Sequence, residues 1–325
     1  MTNFQYLKKN YTIDIVATAG KSDADVLHKI AELITSWGLQ SNIPDNILGE
    51  DLLCANSDAI RFALLQDALF NTASKAIWCM RGGYGSMRLI PMLEKLTPPK
   101  QQKLFIGFSD ITALHIFLQE KWGWQTFHGS SAQQIVKDLV DQNSASQVKD
   151  LLLGKTQEVK FANLIPLNTA AKTIKKINAP IVGGNLTLVE CSLATSWQLT
   201  TKNKILFLED VNMPGYQIDR SLVHLQQAGL FKDVAAVLLG DFIGRDAEKD
   251  AELIEKTLNR FANELDIPVF KIPNIGHGKI NYVLPLGMPA ELQLNNINIK
   301  CNSPGRFPVI ASGTPRSNPV LYSLA

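Results

Sequence analysis

Cysteine is scarce and unpaired in this chain. Cys54, Cys79, Cys191 and Cys301 are scattered through 325 residues with no CxxC spacing. That pattern excludes a disulfide framework and a paired-cysteine zinc site. Cys79 and Cys191 lie in apolar segments, which predicts small buried thiols. There is no HExxH motif and no spaced His/Asp set, so neither a metal nor another cofactor is expected. Charge of neither sign prevails: 32 basic against 30 acidic residues leave a net charge of +2. A nucleic-acid partner, which requires a concentrated basic face, is therefore not expected. No apolar run approaches the roughly 20 residues needed to cross a bilayer. The opening Met1-Thr2-Asn3-Phe4-Gln5-Tyr6 lacks the charged-then-apolar layout of a signal peptide. The expectation is a cytoplasmic protein with no membrane partner.

What is present supports a large folded core. Hydrophobic residues make up 46% of the chain, the composition of an ordinary globular protein. At about 100–200 residues per domain, the length suggests two domains. The first half alternates strand and helix patterns. Residues 11–17, 75–80, 103–108 and 125–128 read as strands. Residues 22–37, with Val26, Ile30, Leu33 and Trp37 on one face, read as a helix. So do 57–70 with Ser57 as N-cap, 86–96, and 110–122. The more polar stretch 133–176 reads as irregular and marks the boundary. Beyond it, 204–208, 234–239 and 269–272 read as strands, 185–194, 217–229 and 246–265 as helices, and 291–301 as a hairpin. The fold expected is α/β. An N-terminal parallel-sheet domain of Rossmann or flavodoxin type spans residues 1–165, and a C-terminal α/β domain with some antiparallel strands spans 166–325.

In open α/β sheets ligands gather beyond the carboxyl ends of strands, and four segments stand there. Ser109-Asp110 follows an apolar strand and precedes a helix. Ser109 is either a helix cap or a nucleophile beside free helix-terminal amides. The run Arg81-Gly82-Gly83-Tyr84-Gly85 lacks the P-loop ending and the GxGxxG spacing. It reads as a phosphate cradle, a donor of backbone N–H to an oxyanion, or a tight turn. Glu209-Asp210 supplies carboxylates that are solvated, cap a turn, or orient a histidine. His277, between Gly276 and Gly278, is a surface loop residue or a general base. His128 ends a strand and is placed to line the cleft. Serine, carboxylate and histidine, each after a strand, form together the arrangement of an activated nucleophile.

These segments resemble one family. Residues Arg81 to Leu89 (RGGYGSMRL) and Gly107-Phe108-Ser109-Asp110-Ile111-Thr112 are similar to the glycine loop and nucleophile turn of the LD-carboxypeptidases, a family of serine peptidases. Gly183-Gly184-Asn185-Leu186, Leu208-Glu209-Asp210-Val211 with Tyr216, Asp219 and Arg220, and Gly276-His277 with Leu284-Pro285-Leu286-Gly287 follow in the family's order. Ala17-Thr18-Ala19-Gly20 departs from the Pro-Ser turn that often ends the family's first strand. The resemblance implies a Ser109-His277-Glu209 triad in a cleft between two domains. It implies an oxyanion hole from the amides of Asp110 and Gly83, and a substrate-binding role for Gly82, Tyr84 and Arg81. It implies hydrolysis, in peptidoglycan recycling, of murein tetrapeptides between the L-centre of meso-diaminopimelate or L-lysine and terminal D-alanine. A homodimer is also implied. Two other readings stay open: a microcin C-type peptidyl-nucleotide immunity peptidase of the same fold, and a non-enzymatic ligand-binding protein.

Overall fold

The strand–helix alternation builds two sheets. The computed structural model describes residues 4–301. Met1-Thr2-Asn3 and residues 302–325 of the expected C-terminal domain lie outside the described residues. In the first sheet, β1 (Thr12–Val16), β2 (Gln40–Asn42), β3 (Ser74–Cys79), β4 (Leu104–Gly107) and β5 (Thr126–His128) run parallel in the order β2-β1-β3-β4-β5. That is the flavodoxin-like order, whose direction of travel reverses between β1 and β3. The second sheet contains β6 (Glu158–Ala162), β7 (Ile165–Pro166), β8 (Ile177–Asn185), β9 (Ile205–Val211), β10 (Ala236–Ile243) and β11 (Val269–Lys271). Its centre, β8 to β11, is parallel. After β12 (Leu284–Leu286), the hairpin of β13 (Pro289–Gln293) and β14 (Asn296–Lys300), as expected for residues 291–301, inserts antiparallel between β8 and β6. β12 itself joins the first sheet, antiparallel to β5, with Leu284 opposite His128.

Alternate residues of each strand face opposite ways, and two apolar cores result. Ile13, Trp78 and Phe127 of the first sheet share one with Phe207 and Phe270 of the second. Val16 and Phe105 share the other with Leu206 and Val237. Each core thus runs through both sheets. Burying one such side chain contributes about 1.5–3 kcal/mol, so the two sheets stabilise one another.

Helices start where the chain offers caps. The Ser57 hydroxyl accepts the Ile60 N–H at 3.4 Å and opens Asp58–Phe70. Ala24–Ser36 buries Val26, Ile30 and Ile34, one turn apart. Three readings need correction. The stretch 133–176 is not irregular: Asp141 accepts the Ser144 N–H at 2.9 Å and caps a helix, Gln142–Leu152. That helix buries Ala145, Val148, Leu151 and Leu152, a stripe diluted in sequence by its polar first turn. Residues 86–96 form only a 3-10 turn, Ser86–Leu89, and the short helix Ile90–Leu93. Cys191, read as buried, is exposed on the last turn of Leu186–Cys191. Among the described residues no helix is long and apolar enough to cross a membrane.

Candidate active site

Phe108 is extended after β4, with φ −156° and ψ −176°, and Ser109 then turns into the left-handed region at φ 62°. That conformation costs a non-glycine residue about 1–2 kcal/mol. It persists where the surroundings dictate it, commonly at functional sites. A 3-10 turn, Ser109–Ile111, leads into the helix Thr112–Trp122. The Ser109 side chain caps neither element, so the cap reading of this residue fails. The glycine loop touches it: a Cβ on Gly82 would lie 2.9 Å from Ser109 Cβ and 3.2 Å from its Oγ.

Asp110 anchors that loop. Its buried carboxylate accepts the Ser86 N–H at 2.8 Å, and Ser86 Oγ lies 3.1 Å from the Thr18 hydroxyl. Burial raises the Asp110 carboxyl above its ordinary pKa despite the Ser86 amide. Gly83, at φ 123°, is exposed with Tyr84 on the outer side of the loop. Arg81 is half-buried at the end of β3.

His277, in the loop after β11, meets Glu209 of the second sheet. Glu209 lies within β9, fully buried, and its Oε2 is 2.7 Å from His277 Nδ1. A Cβ on Gly276 would stand 3.0 Å from that same oxygen, so a glycine here lets the loop come close enough for the contact. Burial raises the Glu209 carboxyl. Burial alone would depress His277, but the charge and hydrogen bond of Glu209 outweigh it and hold the imidazole above its usual value. The ring of Phe108 lies 4.8 Å from the His277 ring, which brings the Ser109 turn against the histidine loop. No hydrogen bond links Ser109 to His277 among the described residues.

His128 does not line the cleft. It is buried between Phe108, Phe207 and His115, at 5.9, 5.3 and 6.4 Å between ring centroids, and burial keeps its pKa well below the usual value. Conversely, the motif reading gave no role to Thr112, Arg61 or Asp241. Thr112 Oγ1 accepts the Asn185 N–H at 3.0 Å. The buried Arg61 donates to the carbonyl of Asn56 at 3.0 Å, to that of Gly85 at 3.1 Å, and also to that of Thr18. Its signal was a cation on the inner face of the Asp58–Phe70 helix. Asp241 of β10 receives the Asn274 N–H at 3.3 Å under the histidine loop, and burial pushes its carboxyl up to about 6.

A strand-end serine in a strained turn, beside an imidazole held by a buried carboxylate, is the arrangement of a serine-type hydrolase on an α/β scaffold. Residues 13–129 match the LD-carboxypeptidase N-terminal domain and residues 178–292 the LD-carboxypeptidase C-terminal domain. The chain belongs to this family of serine-type peptidases. It is 46% identical to a Rickettsia conorii chain named as a carboxypeptidase, over 84% of its own length and 85% of that relative. The fold is shared with an MccF-like protein of Bacillus anthracis, at TM-score 0.80 and 21% identity over 92% of this chain and 99% of that one. It is shared also with a muramoyltetrapeptide carboxypeptidase of Oxalobacter formigenes, at TM-score 0.74 and 24% identity over 89% and 97%.

Proposed function

We propose that the chain is a serine LD-carboxypeptidase acting on murein tetrapeptides in the cytoplasm, during peptidoglycan recycling. It hydrolyses the bond between the L-centre of meso-diaminopimelate or L-lysine and terminal D-alanine. The observation that carries this reading is the 2.7 Å contact of Glu209 with His277, packed over Phe108 beside the strained Ser109. The family's name and that of the Oxalobacter neighbour support the substrate class.

In this reading Ser109 is contributed by the unit of residues 1–165, and Glu209 and His277 by the unit of residues 166–325. His277 Nε2 removes the proton of Ser109 as Oγ attacks the carbonyl of the L-centre. Glu209 accepts the Nδ1–H bond, fixes the tautomer and stabilises the imidazolium. The oxyanion is received by the amides of Asp110 and Gly83, while Gly82 and Tyr84 flank the peptide. The C–N bond then breaks, and the amine leaves as D-alanine with the proton from His277. Water, deprotonated by His277, attacks the acyl ester and releases the shortened peptide and free Ser109. The missing Ser109–His277 hydrogen bond fits a site that tightens on substrate.

The test offers the purified chain a murein tetrapeptide and, separately, an aminoacyl-sulfamoyl adenylate. Release of D-alanine, lost in Ser109→Ala together with fluorophosphonate labelling, is expected. Turnover retained by Ser109→Ala would remove the serine mechanism. A higher kcat/KM for the nucleotide would replace the substrate with a microcin C-type one. If neither is turned over and no label attaches, the non-enzymatic reading stands instead.

A further inference from the structure

A peptidase that removes one terminal residue must bind the terminal carboxylate, through helix-terminal amides or through a cation such as arginine. In the peptide that carboxylate carbon is three bonds from the scissile carbonyl carbon, hence within about 4 Å of it. A cation in that role therefore stands next to the oxyanion amides. Several cations near the cleft are already engaged. Arg88 grips Asp58 through Nε at 3.0 and 2.9 Å and Nη2 at 2.6 Å. Arg61 is buried against backbone carbonyls and also pairs with Asp58, at 2.5 Å. Lys137 is bonded to Asp23 at 2.8 Å, and Lys279 donates to the Asp138 carbonyl.

Arg81 differs from all of these. It lies where the first sheet reverses between β1 and β3, the crevice in which ligands of such sheets bind. Its Nε donates to the Gly82 carbonyl at 3.1 Å and its Nη1 to the Lys21 carbonyl at 2.6 Å. The turn after β1 wraps the group closely: a Cβ on Gly20 would meet Nε at 3.3 Å and Cζ at 3.4 Å. Gly20 in turn donates its N–H to the same Gly82 carbonyl at 3.2 Å. Two turns thus hold the plane of the guanidinium through backbone carbonyls; among the described residues no carboxylate lies within 4 Å of Arg81, and its charge acts on exposed Asp23 only as a minor influence beside Lys137. Its Nη2 lies 3.8 Å from the place of a Cβ on Gly83, the residue whose amide the mechanism uses. The next residue, Gly82, touches Ser109.

We infer that Arg81 is the specificity-determining residue that receives the C-terminal carboxylate of the peptide through its Nη2 edge. The enzyme is then restricted to the last residue by charge. A fixed guanidinium edge matches a carboxylate better than a mobile ammonium does. This inference rests on the peptidase reading above and goes beyond it, because it names what distinguishes an exopeptidase from an endopeptidase at this site. A charge-assisted hydrogen bond contributes enough for roughly a 10- to 100-fold preference in kcat/KM.

The experiment compares the murein tetrapeptide with the same peptide carrying a C-terminal amide, using the full chain and its Arg81→Gln and Arg81→Lys variants. Wild type is expected to prefer the free acid by roughly 10- to 100-fold. Arg81→Gln is expected to bring the acid-to-amide ratio to near one, chiefly through a higher KM for the acid, and Arg81→Lys to restore part of it. Equal use of acid and amide by wild type overturns the assignment without any variant. A ratio that survives in Arg81→Gln overturns it as well. So does an equal loss on both peptides, which would make Arg81 only a prop for the glycine loop. If wild type hydrolyses neither peptide, the peptidase reading itself fails. An Arg81→Gln effect confined to an aminoacyl-sulfamoyl adenylate would identify a sulfamate or phosphate as the anion held, not a carboxylate.

Discussion

The hydroxyl of Thr112 accepts the backbone N–H of Asn185 at 3.0 Å. Thr112 opens the helix that follows Ser109, and Asn185 ends β8 of the other sheet, beside β9 with Glu209. One buried hydrogen bond therefore joins the helix after Ser109 to the sheet that holds Glu209. Thr112→Val keeps the shape and orphans the amide. Urea denaturation should show a loss of about 1–3 kcal/mol, and kcat should fall. A variant as stable and as fast as wild type would show that this tie is idle.

Ser109 stores backbone strain that glycine does not have. Ser109→Gly should abolish turnover yet raise stability by roughly 1 kcal/mol. A thermal melt of equal or lower Tm would mean that the left-handed turn is not strained.

The pH profile follows from His277. Only its neutral form takes a proton, and Glu209 holds its pKa above the usual imidazole value. kcat/KM should rise with pH through an apparent pKa higher than that of free imidazole. Glu209→Gln should move this limb to lower pH while reducing turnover. For stability the sign is opposite: the raised value contributes stability below the unfolded pKa, lost as pH rises through the folded one. An acid limb that stays in place in Glu209→Gln would assign the titration to another group.

Asp241 presents the reverse case for a carboxyl. Burial, with the like charge of Glu209 adding, lifts it to about 6, so the folded chain binds its proton more tightly than the unfolded one. Stability should decline as pH rises from the ordinary carboxyl value to about 6, and the penalty should persist above that. Asp241→Asn can still accept the Asn274 N–H. Its Tm should exceed that of wild type at pH 8 and converge with it near pH 4. Parallel Tm curves at all pH values would contradict this account.

The strands before the site segments were legible because they are short apolar runs ended by glycine or polar clusters, as in residues 103–108; Gln40–Asn42, Glu158–Ala162, Ile165–Pro166 and Ile177–Asn185, which are polar, very short or run into glycines, were not read as strands. The Gln142–Leu152 helix was not, since its buried stripe of Ala145, Val148 and Leu152 is sparse and its first turn is polar. Asp110, Arg61 and Thr112 were obscured for another reason. Their roles lie in contacts to Ser86, to the Thr18 and Gly85 carbonyls, and to Asn185, which are 24, 43, 24 and 73 positions away. No local pattern announces a partner at that distance. His128 misled because a strand-end histidine can face either side, and the core enclosed this one.

β12 closes the first sheet from far along the chain. The edge of the first sheet at β5, next to the strand that precedes Ser109, receives its last neighbour only from Leu284–Leu286. During synthesis, the sheet that leads into Ser109 keeps an open edge at β5 until Leu284–Leu286 has been made. Glu209 and His277 precede β12 in the chain, so both emerge before that edge is covered.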